Sequence, residues 1–130
     1  MSGDHIDSRP RALVVDDEEP LRELIVVTLG DAFACEEASD GDTALARMRE
    51  APPDLVLLDV MMPGRNGIDV LREMRADPRL RAVPVCVVSA WQSAKDVAAA
   101  LEAGADRFLA KPFRVDELAS IARALVERRT

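Results

Sequence analysis

Tyrosine is absent from this 130-residue sequence, tryptophan and histidine occur once each, and phenylalanine occurs three times. So few rings leave no stacking platform for single-stranded nucleic acid. The one histidine, His5, sits in the polar first ten residues, which argues against histidine-based catalysis or a histidine zinc site. Two cysteines, Cys35 and Cys86, lie inside apolar runs and not at metal or redox spacings, the pattern of reduced packing residues. Six glycines supply neither a G-x-G-x-x-G turn nor a G-x-x-x-x-G-K-S/T loop, so the nucleotide-binding signatures are missing. No run approaches the roughly 18 unbroken apolar residues of a membrane span, and the first ten residues lack the apolar stretch of a signal peptide. A soluble, cytoplasmic protein without membrane contact is expected. Basic residues are outnumbered, 17 against 24 acidic, and the net charge of −7 opposes the phosphate-neutralising contacts that dominate nucleic-acid affinity. No direct nucleic-acid binding is expected of this chain.

What the sequence does have is 48% hydrophobic residues, set out as short apolar runs alternating with longer amphipathic segments. That suffices for the core of one domain and leaves no room for a second. The alternation marks parallel strands joined by crossover helices. Strands are predicted over residues 12–15, 33–38, 55–58, 83–88 and 108–110. Most are continuously apolar, as expected when helices cover both faces of a sheet. The first predicted helix opens at Glu19 and Pro20, turns Leu21, Leu24, Ile25 and Thr28 to one face, and ends near Gly30. The second follows Asp40 with Ala44, Leu45 and Met48, and the third follows Asn66 and Gly67 with Ile68, Leu71 and Met74 and is closed by Pro78. The fourth runs from about Ser93 to a stop at Gly104, and the fifth spans 115–128 with Leu118, Ile121, Ala122, Leu125 and Val126 inward. Residues 1–10 carry no motif and are expected to form a disordered polar tail, leaving residues 11–130 as the domain.

Doubly wound sheets place their ligands beyond the carboxyl ends of the strands. There the sequence puts Asp16 and Asp17 after the first strand, Asp59 after the third, Ser89 after the fourth and Lys111 after the fifth. Each alone has a plain structural reading: an acid pair capping a helix, a serine in a turn, a lysine in solvent. Together on one rim they call for another. Three carboxylates repel one another unless a hard cation joins them, and Mg²⁺ prefers carboxylate, carbonyl and water oxygens. A lysine offers ammonium donors to phosphate oxygens, and a serine hydroxyl can donate to another. In such a cradle a carboxylate can attack a phosphoryl donor, because metal and lysine stabilise the charge on the equatorial oxygens in transit. The product is an aspartyl phosphate.

Four segments now acquire a common meaning: Val14-Val15-Asp16-Asp17-Glu18, Leu57-Leu58-Asp59-Val60-Met61-Met62-Pro63-Gly64-Arg65-Asn66-Gly67, Val88-Ser89-Ala90, and Gly104-Ala105-Asp106-Arg107-Phe108-Leu109-Ala110-Lys111-Pro112-Phe113. In order, they resemble the signatures of the response-regulator receiver domains of two-component signalling, over roughly residues 11–128. The resemblance implies an α/β, flavodoxin-like doubly wound fold, with a five-stranded parallel sheet in the order 2-1-3-4-5 and five helices. It implies Asp59 as phosphoacceptor, Asp17 as a direct Mg²⁺ ligand, Asp16 as a ligand or water-mediated neighbour, and the Met61 backbone carbonyl as a further ligand. Lys111 resembles the phosphate-binding lysine and Ser89 the switching hydroxyl. Phe108, standing where many relatives carry tyrosine, resembles the aromatic that turns inward when the hydroxyl moves. The Lys111-Pro112 bond is one this family usually holds in cis. The phosphoryl donor implied is a sensor histidine kinase or histidine phosphotransfer protein, docking near Leu21 to Leu24. A downstream protein would read the face made by the fourth helix, fifth strand and fifth helix. Such a domain is a regulator with slow autodephosphorylation, not an enzyme with an external substrate. Trp91, two residues beyond Ser89, is expected to overhang the site and shield an acyl phosphate from water.

Rival readings fit less of the sequence. A Mg²⁺-dependent phosphatase of the haloacid-dehalogenase type also uses an aspartate on a doubly wound sheet, but takes it from the first strand with its partner acid two residues later. Here adjacent acids follow the first strand and Asp59 follows the third. A receiver-like interaction module that works without phosphorylation would not need the full set of side chains, and all are present. Both a stand-alone regulator and the receiver portion of a longer protein remain open.

Overall fold

The computed structural model describes residues 8–62, 66–90 and 93–129. Among them, strands β1 (Arg11–Val15), β2 (Ala34–Ala38), β3 (Leu55–Leu58), β4 (Val85–Ser89) and β5 (Arg107–Ala110) alternate with helices α1 (Glu19–Leu29), α2 (Gly41–Glu50), α3 (Gly67–Ala76), α4 (Ala94–Glu102) and α5 (Val115–Arg129). All strand pairs are parallel and the order is β2-β1-β3-β4-β5, the doubly wound, flavodoxin-like arrangement expected from the sequence.

The central strands are buried on both faces. Leu13 and Val15, Val56 and Leu58, and Val85 and Val87 pack on one side with Leu45, Met48, Leu71 and Met74 of α2 and α3. Their alternates, Ala12 and Val14, Leu55 and Leu57, and Cys86 and Val88, pack on the other with Ile25 and Leu29 of α1 and Leu118, Ile121 and Leu125 of α5. Both phases of the two-residue strand period are therefore apolar, which is why the strands read as unbroken runs. Side chains set the helix starts: Asp40, Asn66 and Ser93 accept from the backbone N–H of Thr43, Asp69 and Asp96.

Departures from the sequence expectations have local causes. β4 begins two residues after its apolar run does, because Pro84 has no N–H for the ladder, although its carbonyl accepts from Val56 at 3.0 Å. Leu24, expected inward, is 45% exposed, and burial on α1 falls to Ile25 and Leu29. In the expected tail, Pro10 is joined to the domain through its carbonyl, which accepts from the Ala34 N–H at 2.9 Å, and the Arg9 guanidinium donates to the Gly30 carbonyl. Residues 1–7, His5 included, lie outside the described residues.

Arg75 of α3 ties together the amino ends of β4 and β5. Its guanidinium donates to the Gly104 carbonyl at 2.8 and 3.0 Å, the Val83 carbonyl at 2.8 Å and the Arg81 carbonyl at 3.0 Å. It also pairs at 3.2 Å with Asp106, whose carboxylate accepts from the Val85 N–H at 2.8 Å. Gly104 carries a φ of 116° and lies so close that a Cβ there would meet Arg75 Cγ at 2.7 Å. Arg75→Met is expected to cost about 2–4 kcal/mol in urea unfolding, since several carbonyls lose their donors at once. Arg114→Ala removes an ion pair whose side chains are 81% and 69% exposed and should leave the midpoint unmoved; similar losses in both variants would refute the tie.

Candidate functional site

The hydrogen-bond ladder continues one residue beyond the strands, and that continuation builds the site. The Asp16 N–H donates to the Ala38 carbonyl at 3.1 Å, the Asp59 N–H to the Val15 carbonyl at 2.9 Å, and the Lys111 N–H to the Ser89 carbonyl at 2.9 Å. Asp16, Asp59, Ser89 and Lys111 are thus fixed by backbone to one rim, at the carboxyl ends of β1, β3, β4 and β5. Asp16, Asp59 and Ser89 are buried, at 2%, 4% and 0% exposure, whereas Asp17 is exposed.

Asp16, Asp17 and Asp59 each bring a carboxylate oxygen within 4.8 Å of the other two. The Lys111 ammonium donates to Asp16 Oδ2 at 2.9 Å, to Asp59 Oδ2 at 3.2 Å and to Glu18 Oε1 at 3.3 Å. The second oxygens of the buried pair are held by backbone: Asp16 Oδ1 accepts from the Glu18 N–H at 2.8 Å and Asp59 Oδ1 from the Met61 N–H at 3.0 Å. Burial pushes the Asp16 carboxyl above its ordinary value and the Asp59 charge adds to this, while the Glu18 N–H and Lys111 pull the other way. For Lys111, burial works to lower the pKa, but its hydrogen bond and charge contact with Asp16, followed by those with Asp59, outweigh it and the value is raised. The rim thus holds an ammonium between buried carboxylates, one of them at an electrostatic cost.

Met61 is 49% exposed and lines a hollow of about 390 Å³ together with Asp17, Glu18, Asp59, Ala90 and Lys111. Phe108 is partly buried and packs against the α2–α3 side of the core, directly opposite Val87 of β4 and two register positions before the Ser89 pair. The Lys111-Pro112 bond is cis. Trp91 lies outside the described residues. Gly67 explains the glycine that follows Asp59 in the sequence: a Cβ there would stand 2.4 Å from the Asp59 carbonyl oxygen and 2.6 Å from Val60 Cα, so the start of α3 lies directly on the acceptor's backbone.

The sequence reading gave no part to Glu18, although it adjoins the acid pair. It missed as well a groove of about 620 Å³ that opens beside the hollow, lined by Glu18, Pro20, Leu21, Leu24, Ala90, Lys111, Pro112 and Phe113. The sequence pointed to Leu21 to Leu24 as a docking place but also counted Leu24 among the inward residues of α1, and Leu24 turns out to line the groove.

Residues 12–123 match the family described as response regulator receiver domain. The chain belongs to the response regulator receiver family. As a receiver domain it is 46% identical over 121 residues to the DNA-binding response regulator MtrA of Mycobacterium tuberculosis (strain ATCC 25618 / H37Rv), covering 92% of this chain and 52% of the relative. It is 38% identical over 119 residues to the phosphate regulon transcriptional regulatory protein PhoB of Escherichia coli (strain K12), covering 91% of this chain and 52% of the relative. Among solved structures, the receiver domain of the Francisella response regulator 1452 superposes with a TM-score of 0.88 at 30% identity, covering 94% of this chain and 100% of that one. The receiver spans about half the length of the curated relatives it matches.

These relatives correct one expectation. The expectation of no direct nucleic-acid binding does not stand, because MtrA is described as DNA-binding and PhoB as transcriptional. The net charge of −7 is that of these 130 residues. An acidic signalling domain and a DNA-contacting domain can share one chain, and the charge of the first says nothing of the second. The expectation about membranes narrows to a statement about helices: among the described residues none is long and apolar enough to cross a membrane.

Two variants test this geometry. Gly67→Ala is expected to lose roughly 3 kcal/mol in denaturant unfolding, because the clash is with backbone and not with a yielding side chain; a loss below about 1 kcal/mol would place the α3 start farther from Asp59. Asp16→Asn tests the electrostatic cost. A carboxyl whose pKa is raised on folding destabilises the fold increasingly as pH climbs from the ordinary 3.8 through the raised value. Without divalent metal, the variant should unfold at higher urea than wild type at neutral pH, with the gap closing as pH falls toward 3.8. A gap independent of pH would assign it another cause.

Proposed function

We propose that this receiver domain, residues 11–130, is a cytoplasmic phosphorylation switch in which Asp59 takes a phosphoryl group from a sensor histidine kinase or histidine phosphotransfer protein, with Mg²⁺ required. The observation that carries the reading is the Lys111 ammonium shared between two buried carboxylates at 2.9 and 3.2 Å beside a third acid. Asp16, Asp17 and Asp59, with Glu18 beside them, outnumber the one ammonium, an excess of negative charge that a divalent hard cation offsets, and the donors are all oxygens. Asp16, Asp17 and Asp59, with the Met61 backbone carbonyl, would hold Mg²⁺. When bound, it supplies charge neutralisation for the phosphate oxygens.

The protein's own groups account for the rest. An Asp59 carboxylate oxygen forms the new O–P bond as the P–N bond of a phosphohistidine breaks and its electron pair leaves with the imidazole. Lys111 already stands against Asp59 Oδ2 and needs little movement to donate to a phosphoryl oxygen. The Ser89 hydroxyl, one strand away, is a second donor. Phosphorylation replaces the single carboxylate charge by a phosphoryl group of about −1.5 to −2, a net gain of up to about one negative charge, and brings three acceptor oxygens. Swinging a two-state domain from about 1:99 to 99:1 takes roughly 5.5 kcal/mol, within reach of a few charge-assisted hydrogen bonds at roughly 1.5–3 kcal/mol each. Displacement of Ser89 toward the phosphoryl group leaves room that Phe108, on the adjoining strand, turns to fill. Water attack on the acyl phosphate resets the switch, and the domain turns over no external substrate.

Intact mass after incubation with a small phosphodonor tests the reading. Wild type should gain one phosphoryl increment only with Mg²⁺, and Asp59→Asn none. Should wild type stay unmodified under conditions that label another receiver, the phosphorylation-independent interaction module becomes the better reading.

A further inference from the structure

We infer that Glu18 is a specificity-determining residue of this site: its carboxylate hinders incoming phosphoryl donors in proportion to their negative charge. The inference rests on Asp59 being the phosphoacceptor. Glu18 occupies the cap position of α1, yet its side chain makes no cap hydrogen bond, at a position where serine, threonine, aspartate or asparagine would make one. The turn is held instead by the Asp16 carboxylate accepting from the Glu18 N–H at 2.8 Å. The Glu18 side chain is 63% exposed and reaches the Lys111 ammonium at 3.3 Å. An ion pair so exposed adds little to stability. Neither the helix nor the fold therefore accounts for this carboxylate.

Its position does. Glu18, Ala90 and Lys111 line both the hollow that contains Asp59 and the apolar groove beside it, so they form the wall between the two. A donor that reaches Asp59 from the groove side passes the Glu18 carboxylate. The negative charge acts twice there: it occupies one of the ammonium donors of Lys111, and it adds to the field of Asp16, Asp17 and Asp59. Both effects weigh more on a dianion than on a monoanion. A phosphohistidine on a protein surface can arrive with neighbouring cations of its own, whereas a free acyl phosphate cannot, and Glu18 discriminates between them.

Two small donors serve as probes: acetyl phosphate, a dianion at neutral pH, and phosphoramidate, which carries one net negative charge. With either, an Asp59 oxygen bonds to phosphorus. From acetyl phosphate the P–O bond breaks and acetate leaves with the electron pair; from phosphoramidate the P–N bond breaks and ammonia leaves with the protons already on nitrogen. Initial labelling rates with Mg²⁺ are read by intact mass for wild type, Glu18→Gln and Glu18→Asp. At low salt, Glu18→Gln should raise the acetyl phosphate rate about threefold more than the phosphoramidate rate, the size expected of one charge acting at about 6.5 Å through an aqueous path, a separation set by the Lys111 ammonium standing 3.3 Å from Glu18 and 3.2 Å from Asp59. The excess should shrink as salt is added, and Glu18→Asp should stay near the wild-type ratio. A merely structural role would change both rates by one factor, so an unaltered ratio, or one insensitive to salt, overturns the inference while leaving Asp59 as acceptor. Failure of wild type to take label from either donor overturns the acceptor reading and this inference with it.

Discussion

The Lys111 ammonium is the group on which the rim depends. Asp16 and Asp59 are almost wholly buried within reach of each other, an arrangement that repulsion and desolvation would scatter without a cation between them. Lys111 follows the last strand and the acids follow the first and third, so β1, β3, β4 and β5 must be assembled before the charge is matched. The backbone bond from the Lys111 N–H to the Ser89 carbonyl sets the base of the side chain, and the carboxylates orient its tip. Chemistry and fold share the same constraint: the β1-β3-β4-β5 order is what brings the counter-ion to the acids.

Much of this was legible in the sequence, for identifiable reasons. Strands buried on both faces leave unbroken apolar runs, and Asp40, Asn66 and Ser93 are helix caps whose chemistry is local, so the elements emerged within a residue or two. The convergence of Asp16, Asp17, Asp59 and Lys111 followed from parallel topology alone, since all four lie just past strand ends. What failed to show were contacts with no local signature. Arg75 reads as an ordinary surface residue of an amphipathic helix, yet its partners, Val83, Gly104 and Asp106, come from loops that only the tertiary fold brings near. Leu24 fits the apolar spacing of α1 and still faces outward, because periodicity gives the width of an apolar stripe but not where along it the neighbour ends. Glu18 was hidden behind more eloquent neighbours.

The nucleic-acid expectation failed for a different reason. A charge count is a statement about the residues counted, and here they correspond to about half of each curated relative. The net charge of −7 still describes this domain, including the field around its rim. It cannot describe what a receiver is joined to.

The Arg75 tie has a mechanical consequence. It fastens the incoming ends of β4 and β5 and the outgoing end of α4 to α3, at the margin of the sheet farthest from Asp59. A plate clamped along one side bends most along the other. Rearrangement at the acid rim can therefore proceed as flexing about a fixed base, with the cohesion of the domain vested in residues that take no part in its chemistry.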